Sequence, residues 1–387
     1  MKVVVAHNRY SSAQPSGENA VVDTDIAQLR AAGVEVVPFL RSSDEIADLS
    51  AVGKLTLAAS PVYAAGAQRD LAALLERERP DVLHLHNPYP LLSPAVVRTA
   101  QRHGVPVVQT VHNFRHVCVN GLFFRDGGPC HDCMGRAVPL PGVRHACYRG
   151  SRAQSTVMAT ALVTHRSTWR RVDRFIALTE AIAQFLRDYG IDPDAIAVKP
   201  NSIPDPGGHD TPGDGFLYIG RLSAEKGVDL LLSAWRRHPE GRLGTLRIVG
   251  DGELRDHVTA AATERGDVEY VGPVPHEEVA GHIRRASVVV NASVCEDVLP
   301  TVVIEALANA RPVLTTDLGG PPHMIADAGV VTAAEPAAFA DGMARIAAAS
   351  DGLRVAARDR YLAHFSPEVV VARQLEIYRR VRESRQG

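Results

Sequence analysis

Short apolar runs alternate with longer segments of helical period along almost the whole chain. Val3 to Ala6 leads into a helix-period segment from Glu18 to Ala32 and a second run from Val34 to Phe39, while Asp81 to Leu85, Val105 to Thr110 and Phe175 to Leu178 repeat the strand pattern. A run that is apolar at every position fits a strand buried on both faces, and such strands belong to parallel sheets covered by helices on each side. The expected architecture is α/β, built from βαβ units.

The rhythm breaks and then restarts. Pro200, Pro204, Pro206, Gly207, Gly208, Pro212, Gly213 and Gly215 crowd one short stretch, which reads as a linker. Beyond it come strand Phe216 to Ile219, helix Gly227 to Arg237, strand Leu246 to Val249, helix Leu254 to Thr263, strand Val268 to Val271, helix His276 to Arg285, strand Val288 to Asn291, helix Thr301 to Asn309 and strand Pro312 to Thr315. The pattern predicts two doubly wound, Rossmann-like parallel-sheet domains facing a cleft, over 1–200 and 201–366, as a length of 387 residues allows. Ser366-Pro367 marks a further helix start, and Glu368 to Glu383 carries an apolar stripe expected to pack back on the first domain.

Composition narrows the class only slightly. An apolar fraction of 45%, a charged fraction of 22% and a formal net charge of -2 describe an ordinary globular chain. Local charge says more: residues 101–174 hold eleven Arg and no Lys, against Asp126, Asp132 and Asp173. That stretch reads either as solvated arginines on a helical surface or as a face for an anionic acceptor or a membrane surface. No compact basic run is interleaved with aromatics, so no nucleic-acid partner is expected. No run of 18 apolar residues occurs and Met1 to Ala6 reads as a buried strand, so a cytoplasmic protein is expected, with peripheral membrane contact left open.

Two segments of the second half carry the chemistry. Gly220-Arg221-Leu222-Ser223-Ala224-Glu225-Lys226-Gly227 follows a strand and precedes a helix, where open parallel sheets bind ligands. Gly220 lets a ligand approach the backbone, while Arg221 and Lys226 offer a planar fork and a point charge to a diphosphate. In the second segment Pro300 stands just before the helix carrying Glu305, so the amides near Thr301 and Val302 are unpaired donors at a positive helix end. Glu305 can accept hydrogen bonds from ribose hydroxyls, and Asp297 lies eight positions before it with Glu296 alongside.

These segments resemble retaining glycosyltransferase family 4, of the GT-B fold, in its polysaccharide-biosynthesis type with a cysteine-containing insert. Val249-Gly250-Asp251-Gly252, Val271-Gly272-Pro273-Val274-Pro275 and Thr316-Asp317-Leu318-Gly319-Gly320 are similar to further ligand-lining segments of that family, and Pro15-Ser16-Gly17-Glu18-Asn19 to its glycine loop. His112, in Thr110-Val111-His112-Asn113, matches a family histidine near the donor sugar. Thr179-Glu180 and Lys199-Pro200-Asn201 also resemble family positions. The resemblance implies catalytic roles for Arg221, Lys226, His112 and Asp297. It also implies nucleotide-sugar contacts at Gly17, Gly220, Gly252, Val274, Glu296, Pro300, Thr301, Val302 and Glu305. One departure stands out: the family's usual acidic pair is Glu, seven residues, Glu, whereas here counting back from Glu305 reaches Asp297, with Glu296 beside it contending for the place, so the first acid is either shortened or displaced.

Cysteine spacing adds an element of its own. Cys118, Cys130, Cys133 and Cys147 fall within the segment 114–150, rich in Gly and Pro, with Cys130-His131-Asp132-Cys133 as a Cys-x-x-Cys. The readings are a structural tetrahedral zinc, a disulfide or redox pair, or free thiols. Cys295 reads as a small packed residue.

The function implied is transfer of a hexose-type sugar from a nucleotide diphosphate donor, UDP or GDP, to an acceptor hydroxyl, with retention and with no cofactor for catalysis. The acceptor would belong to a polysaccharide, a glycolipid, including an anionic lipid-linked diphosphate, or a natural product. A nucleotide-sugar 2-epimerase of the same fold and a non-enzymatic nucleotide or carbohydrate binder are the competing readings. Hydrolase motifs are missing, and His7-Asn8-Arg9-Tyr10 follows the first strand where a dinucleotide oxidoreductase would need Gly-x-Gly-x-x-Gly.

Overall fold

The computed structural model describes residues 1–12, 16–47, 57, 59–207 and 211–384. Pro15 of the glycine-rich segment, Gly208 of the expected linker and Arg385 to Gly387 after the last helix lie outside the described residues. The chain divides into one compact unit of Met1–Phe123, His131–Asn201 and Val370–Gly387, and a second of Phe124–Cys130 and Ser202–Val369.

In the first unit β1 (Lys2–Arg9), β2 (Glu35–Ser42), β3 (Val82–Leu85) and β4 (Val107–Val111) precede a small antiparallel hairpin of the second unit, β5 (Phe124–Arg125) with β6 (Gly128–Pro129). β7 (Arg174–Ala177) and β8 (Ile196–Val198) complete a six-stranded parallel sheet in the order β2-β1-β3-β4-β7-β8. Helix Gly17–Ala31 starts where the Ser16 hydroxyl accepts from the Glu18 amide, satisfying one of the donors that a helix start leaves unpaired. Its Val22, Ile26 and Leu29 pack on Val3 and Val5 of β1 in one cluster with Ile377, Tyr378 and Val381 of helix Pro367–Glu383. Each such side chain contributes roughly 1.5–3 kcal/mol by leaving water, which fixes the final helix on this sheet.

The second unit repeats the plan. β9 (Phe216–Ile219), β10 (Leu246–Val249), β11 (Val268–Gly272), β12 (Val288–Asn291), β13 (Val313–Thr316) and β14 (Gly329–Thr332) form a parallel sheet in the order β11-β10-β9-β12-β13-β14. The fold is that expected from the apolar rhythm: two Rossmann-like α/β sheets.

Strand order locates the functional edge in each unit. From β1 the chain passes outward to β2 and then returns to the other side of β1 with β3; from β9 it passes to β10 and β11 before returning beside β9 with β12. At such a reversal the connections leave the carboxyl ends of adjacent strands in opposite directions, opening a crevice that suits ligands. Among the described residues no helix is long and apolar enough to cross a membrane.

Candidate active site

At the reversal of the second sheet, the loop after β9 meets the loop after β12. Gly227 has a φ of 70°, and a Cβ there would lie 1.8 Å from the Ala292 carbonyl oxygen, so glycine is required for the two loops to touch. The Val294 amide donates to the Glu225 carbonyl at 3.0 Å. The contact brings Lys226 Nζ to 2.6 and 2.7 Å from the two carboxylate oxygens of Asp297, which also accepts from Ser293 Oγ at 2.5 Å. The Asp297 backbone is held in turn: its carbonyl accepts from the Gly320 amide at 2.7 Å, and a Cβ on Gly319 would come within 2.4 Å of the same oxygen. Burial pulls the Lys226 ammonium down, but the Asp297 carboxylate outweighs it and the net shift is upward, so Lys226 stays charged.

Around this pair stand groups suited to an anion. Arg221, with 63% of its side chain exposed, lies 3.2 Å from Glu225, and its carbonyl accepts from the buried Tyr218 hydroxyl at 2.9 Å. Helix Thr301–Ala308 begins after Pro300 without a side-chain cap, and Val303 already donates to the Pro300 carbonyl. The Thr301 and Val302 amides thus lie in the first turn, where donors have no intrahelical acceptor and the dipole is positive. Glu305 is half-buried one turn on, and burial raises its carboxyl above the usual range against a smaller opposing effect of His276. Gly252 closes the turn after β10 against the Leu222 carbonyl, and Glu296 adjoins Asp297. Val274 follows β11, which β10 separates from β9.

The reversal of the first sheet is built from neutral polar groups instead. His84 and His86 alternate along β3 and its end and so share a side of the sheet. His84 Nε2 lies 2.8 Å from Thr110 Oγ1, His84 Nδ1 2.6 Å from Tyr378 Oη, and His86 Nδ1 2.8 Å from His112 Nε2, with the His86 and His112 rings stacked. Gln374 joins the final helix to the network, donating to Asp25 Oδ2 and Tyr378 Oη at 2.8 Å each and accepting from Lys199 Nζ at 2.8 Å. Burial lowers His7 and His84 to about 4, and burial with neighbouring histidines holds His86 and His112 well below the usual range. All four rings are neutral at physiological pH.

Two glycosyl transferase domains match this chain in sequence. Residues 16–202 match the glycosyl transferase 4-like domain, and residues 213–349 match the glycosyl transferases group 1 domain. The two matches follow one another along most of the chain, and its fold is GT-B. Among curated relatives, a D-inositol 3-phosphate glycosyltransferase of Frankia alni is 29% identical over 69% of this chain and 65% of its own length. A putative teichuronic acid biosynthesis glycosyltransferase, TuaC of Bacillus subtilis, is 36% identical over 27% of this chain and 25% of its own. The chain thus spans about a quarter to two thirds of the length of these two relatives. In three dimensions, sucrose-phosphate synthase of Thermosynechococcus elongatus superposes over 99% of both chains at a TM-score of 0.71 and 16% identity. Anabaena HepE in complex with UDP covers 97% of this chain and 99% of its own at a TM-score of 0.68 and 14% identity.

Within this GT-B chain, Arg221, Lys226, Gly220 and Asp297 gather at the reversal of the second sheet, on the loops after β9 and β12; Pro300, Thr301, Val302 and Glu305 follow on the adjoining helix end. His112 and Gly17 belong to the first unit, Gly17 as the first residue of helix Gly17–Ala31. Among the described residues the one group of three or more His, Cys, Asp or Glu with ligand atoms all within 4.8 Å is Asp25, His84 and His86. Cys118 donates to Asn120 Oδ1 at 2.9 Å, and burial raises its thiol. The Asp25 group is itself a poor cation site, since Lys199 Nζ lies 3.7 Å from Asp25 Oδ1 and both His84 nitrogens are engaged. Sequence reasoning missed Asp25, His86, Ser293 and Gln374. Only His84-Leu85-His86 carried a readable signal, two imidazoles on one side of a strand end.

Proposed function

We propose that the protein is a retaining glycosyltransferase that moves a hexose-type sugar from a UDP or GDP sugar to an acceptor hydroxyl. The second unit takes the nucleotide sugar and the first unit the acceptor. The observation that carries this reading is the second reversal, where Lys226 and Arg221 stand on the loop after β9 and an uncapped helix start follows the loop after β12, groups suited to a diphosphate, with Glu305 one turn into that helix. The bond between the anomeric carbon and the diphosphate oxygen breaks as the acceptor oxygen bonds to that carbon on the same face. The acceptor proton passes to the departing phosphate. Charge accumulating on the leaving group is stabilised by the two cations and the helix amides, which is electrostatic catalysis and needs neither a protein nucleophile nor a metal.

Asp297 acts in this reading by fixing Lys226 as well as by meeting a sugar hydroxyl, since its two oxygens already accept from Lys226 and Ser293. A shorter acid than the family's glutamate suits that double duty, because a longer side chain at this position would push the ammonium away. Glu305 accepts from the ribose hydroxyls. UDP binding by HepE, whose fold this chain shares, supports a nucleotide donor. The acceptor belongs to a polysaccharide, a glycolipid or a natural product, and the arginines between residues 101 and 174 favour an anionic one.

Incubation with UDP- and GDP-hexoses, with and without a panel of lipid-linked, saccharide and aglycone acceptors, tests the reading. Acceptor-dependent release of the diphosphate with an unchanged anomeric configuration in the product supports it. Conversion of donor without acceptor would indicate an epimerase, and inverted product would overturn the mechanism. Metal analysis of the purified protein decides the cysteine question: about one zinc per chain supports the structural-zinc reading, and none removes it.

A further inference from the structure

The buried network beneath His112 fixes where each of its protons lies. Gln374 Nε2 has two hydrogens, and both are committed, one to Asp25 Oδ2 and one to Tyr378 Oη. The Tyr378 oxygen therefore accepts from Gln374 and gives its own hydrogen to His84 Nδ1, 2.6 Å away. His84 then carries its proton on Nε2 and donates it to Thr110 Oγ1, because the short hydrogen bond from Tyr378 to its Nδ1 outweighs Asp25 Oδ2 at 3.8 Å from the same atom. His7 is set in the same way, because its Nδ1 accepts from the Asn87 amide at 3.4 Å and its Nε2 faces the Asn19 side-chain oxygen at 3.0 Å.

His86 has one contact left to settle. Its Nε2 is buried without a hydrogen-bond partner, and Asp25 Oδ2 stands 3.9 Å away. That distance is too long for a hydrogen bond but close enough for electrostatics to choose between two tautomers. A bare lone pair at Nε2 would face a carboxylate, whereas an N–H dipole there points its positive end at it. The proton therefore belongs on Nε2 of His86, leaving Nδ1 as the acceptor of the 2.8 Å bond with His112 Nε2. Among the described residues no other side chain or backbone group meets His112 Nδ1, and this atom is not among the buried unpartnered ones.

We propose that Asp25 and His86 are positioning residues that hold His112 with its proton on Nε2, so that Nδ1 meets the ligand as a hydrogen-bond acceptor for a sugar or acceptor hydroxyl. The opposite tautomer would present an N–H there and select for a ligand acceptor atom. The inference rests on the proposed glycosyl transfer for the identity of the ligand, but the tautomer itself follows from the Asp25 carboxylate beside His86 Nε2 and the 2.8 Å contact of His86 with His112. It also gives Gln374 and Tyr378 of the final helix a part in the site, since they orient Asp25 and His84 beneath it.

The test is long-range proton–nitrogen NMR of the full-length protein labelled with 15N-histidine, with His112 assigned through His112→Gln. The expected spectrum has His112 protonated at Nε2 and bare at Nδ1. Protonation at Nδ1 overturns the proposal whether or not the protein transfers sugar. Asp25→Asn, checked for folding by its melting temperature, should populate the opposite His112 tautomer; an unchanged spectrum removes Asp25 from the relay. In turnover, His86→Asn keeps an oxygen near the Nδ1 position and should retain several-fold more activity than His86→Ala. The loss in His86→Ala should appear as a raised KM for one substrate. A raised donor KM assigns the hydroxyl to the donor sugar, and a raised acceptor KM to the acceptor. Equal loss in both variants with both KM values unchanged contradicts the positioning role. A correct tautomer in a protein without transferase activity leaves this relay standing and defeats the proposed function instead.

Discussion

The two sheet reversals share a topology and differ in electrostatics. After β9 and β12 the chain places charged groups of both signs, half-buried and compensated within the protein by the Lys226–Asp297 pair. Within β1 and β3 and just after β3 and β4 it places four imidazoles that burial keeps neutral, and the charges beneath them, Asp25 and Lys199, are sealed in the core. A site that must meet a departing diphosphate needs mobile compensation, which an ion pair supplies by exchanging one anionic partner for another. A site that must recognise hydroxyls needs fixed donors and acceptors without net charge, so that it does not attract the phosphates as well. In the proposed transfer the same fold would thus serve opposite tasks through the side chains at one strand edge.

The sharpest way to break this contrast is Lys226→Met. Loss of the cation opposite the leaving group should lower turnover by about 10²–10³-fold. Nucleotide-free melting should change far less than activity, and an unaltered kcat would show that the second reversal is not the electrostatic site.

The neutral site has a pH signature of opposite origin. For His7 and His84 the folded-state value of about 4 lies below the unfolded value near 6.5, so the unfolded chain binds more protons in between. Their contribution to stability is fully present above about pH 6.5 and is lost as the pH falls towards 4. The loss is on the order of 3 kcal/mol for each ring. Melting temperature across that window should fall steeply; a flat profile would mean the rings are not held neutral.

A smaller effect is expected from Arg221→Lys, which keeps the charge and removes the planar fork. Turnover should drop about 3- to 10-fold, corresponding to a weakened bidentate contact. A drop as large as that of Lys226→Met would place the leaving group at Arg221 instead.

Much of the architecture was legible because strand runs buried on both faces leave an unmistakable apolar record. β9, β10, β12 and helix His276–Arg285 match the expected segments residue for residue. Several elements escaped, among them helices Ala65–Glu78, Arg152–Trp169 and Glu180–Asp188 of the first unit. Helix Pro336–His364 is rich in Ala and contains Gly342 and Gly352, so its two faces hardly differ in polarity. β8 and β14 are short, partly exposed edge strands of three and four residues, too brief to stand out as runs. The charged half of the site was readable because its residues sit in two compact loops whose spacing carries the chemistry. The histidine half was not, because its logic depends on contacts such as Gln374 with Asp25, 349 positions apart.

The central claim is that the second reversal binds a nucleoside diphosphate through its ribose and phosphates, and calorimetric titration of UDP and GDP into the wild-type protein and Glu305→Ala tests it most directly. Loss of a hydrogen bond to a charged acceptor costs about 1.5–3 kcal/mol. The account predicts binding of one of the two nucleotides by the wild type and roughly 10- to 150-fold weaker binding by the variant. Equal affinity in the two proteins, or no binding of either nucleotide by the wild type, would contradict it.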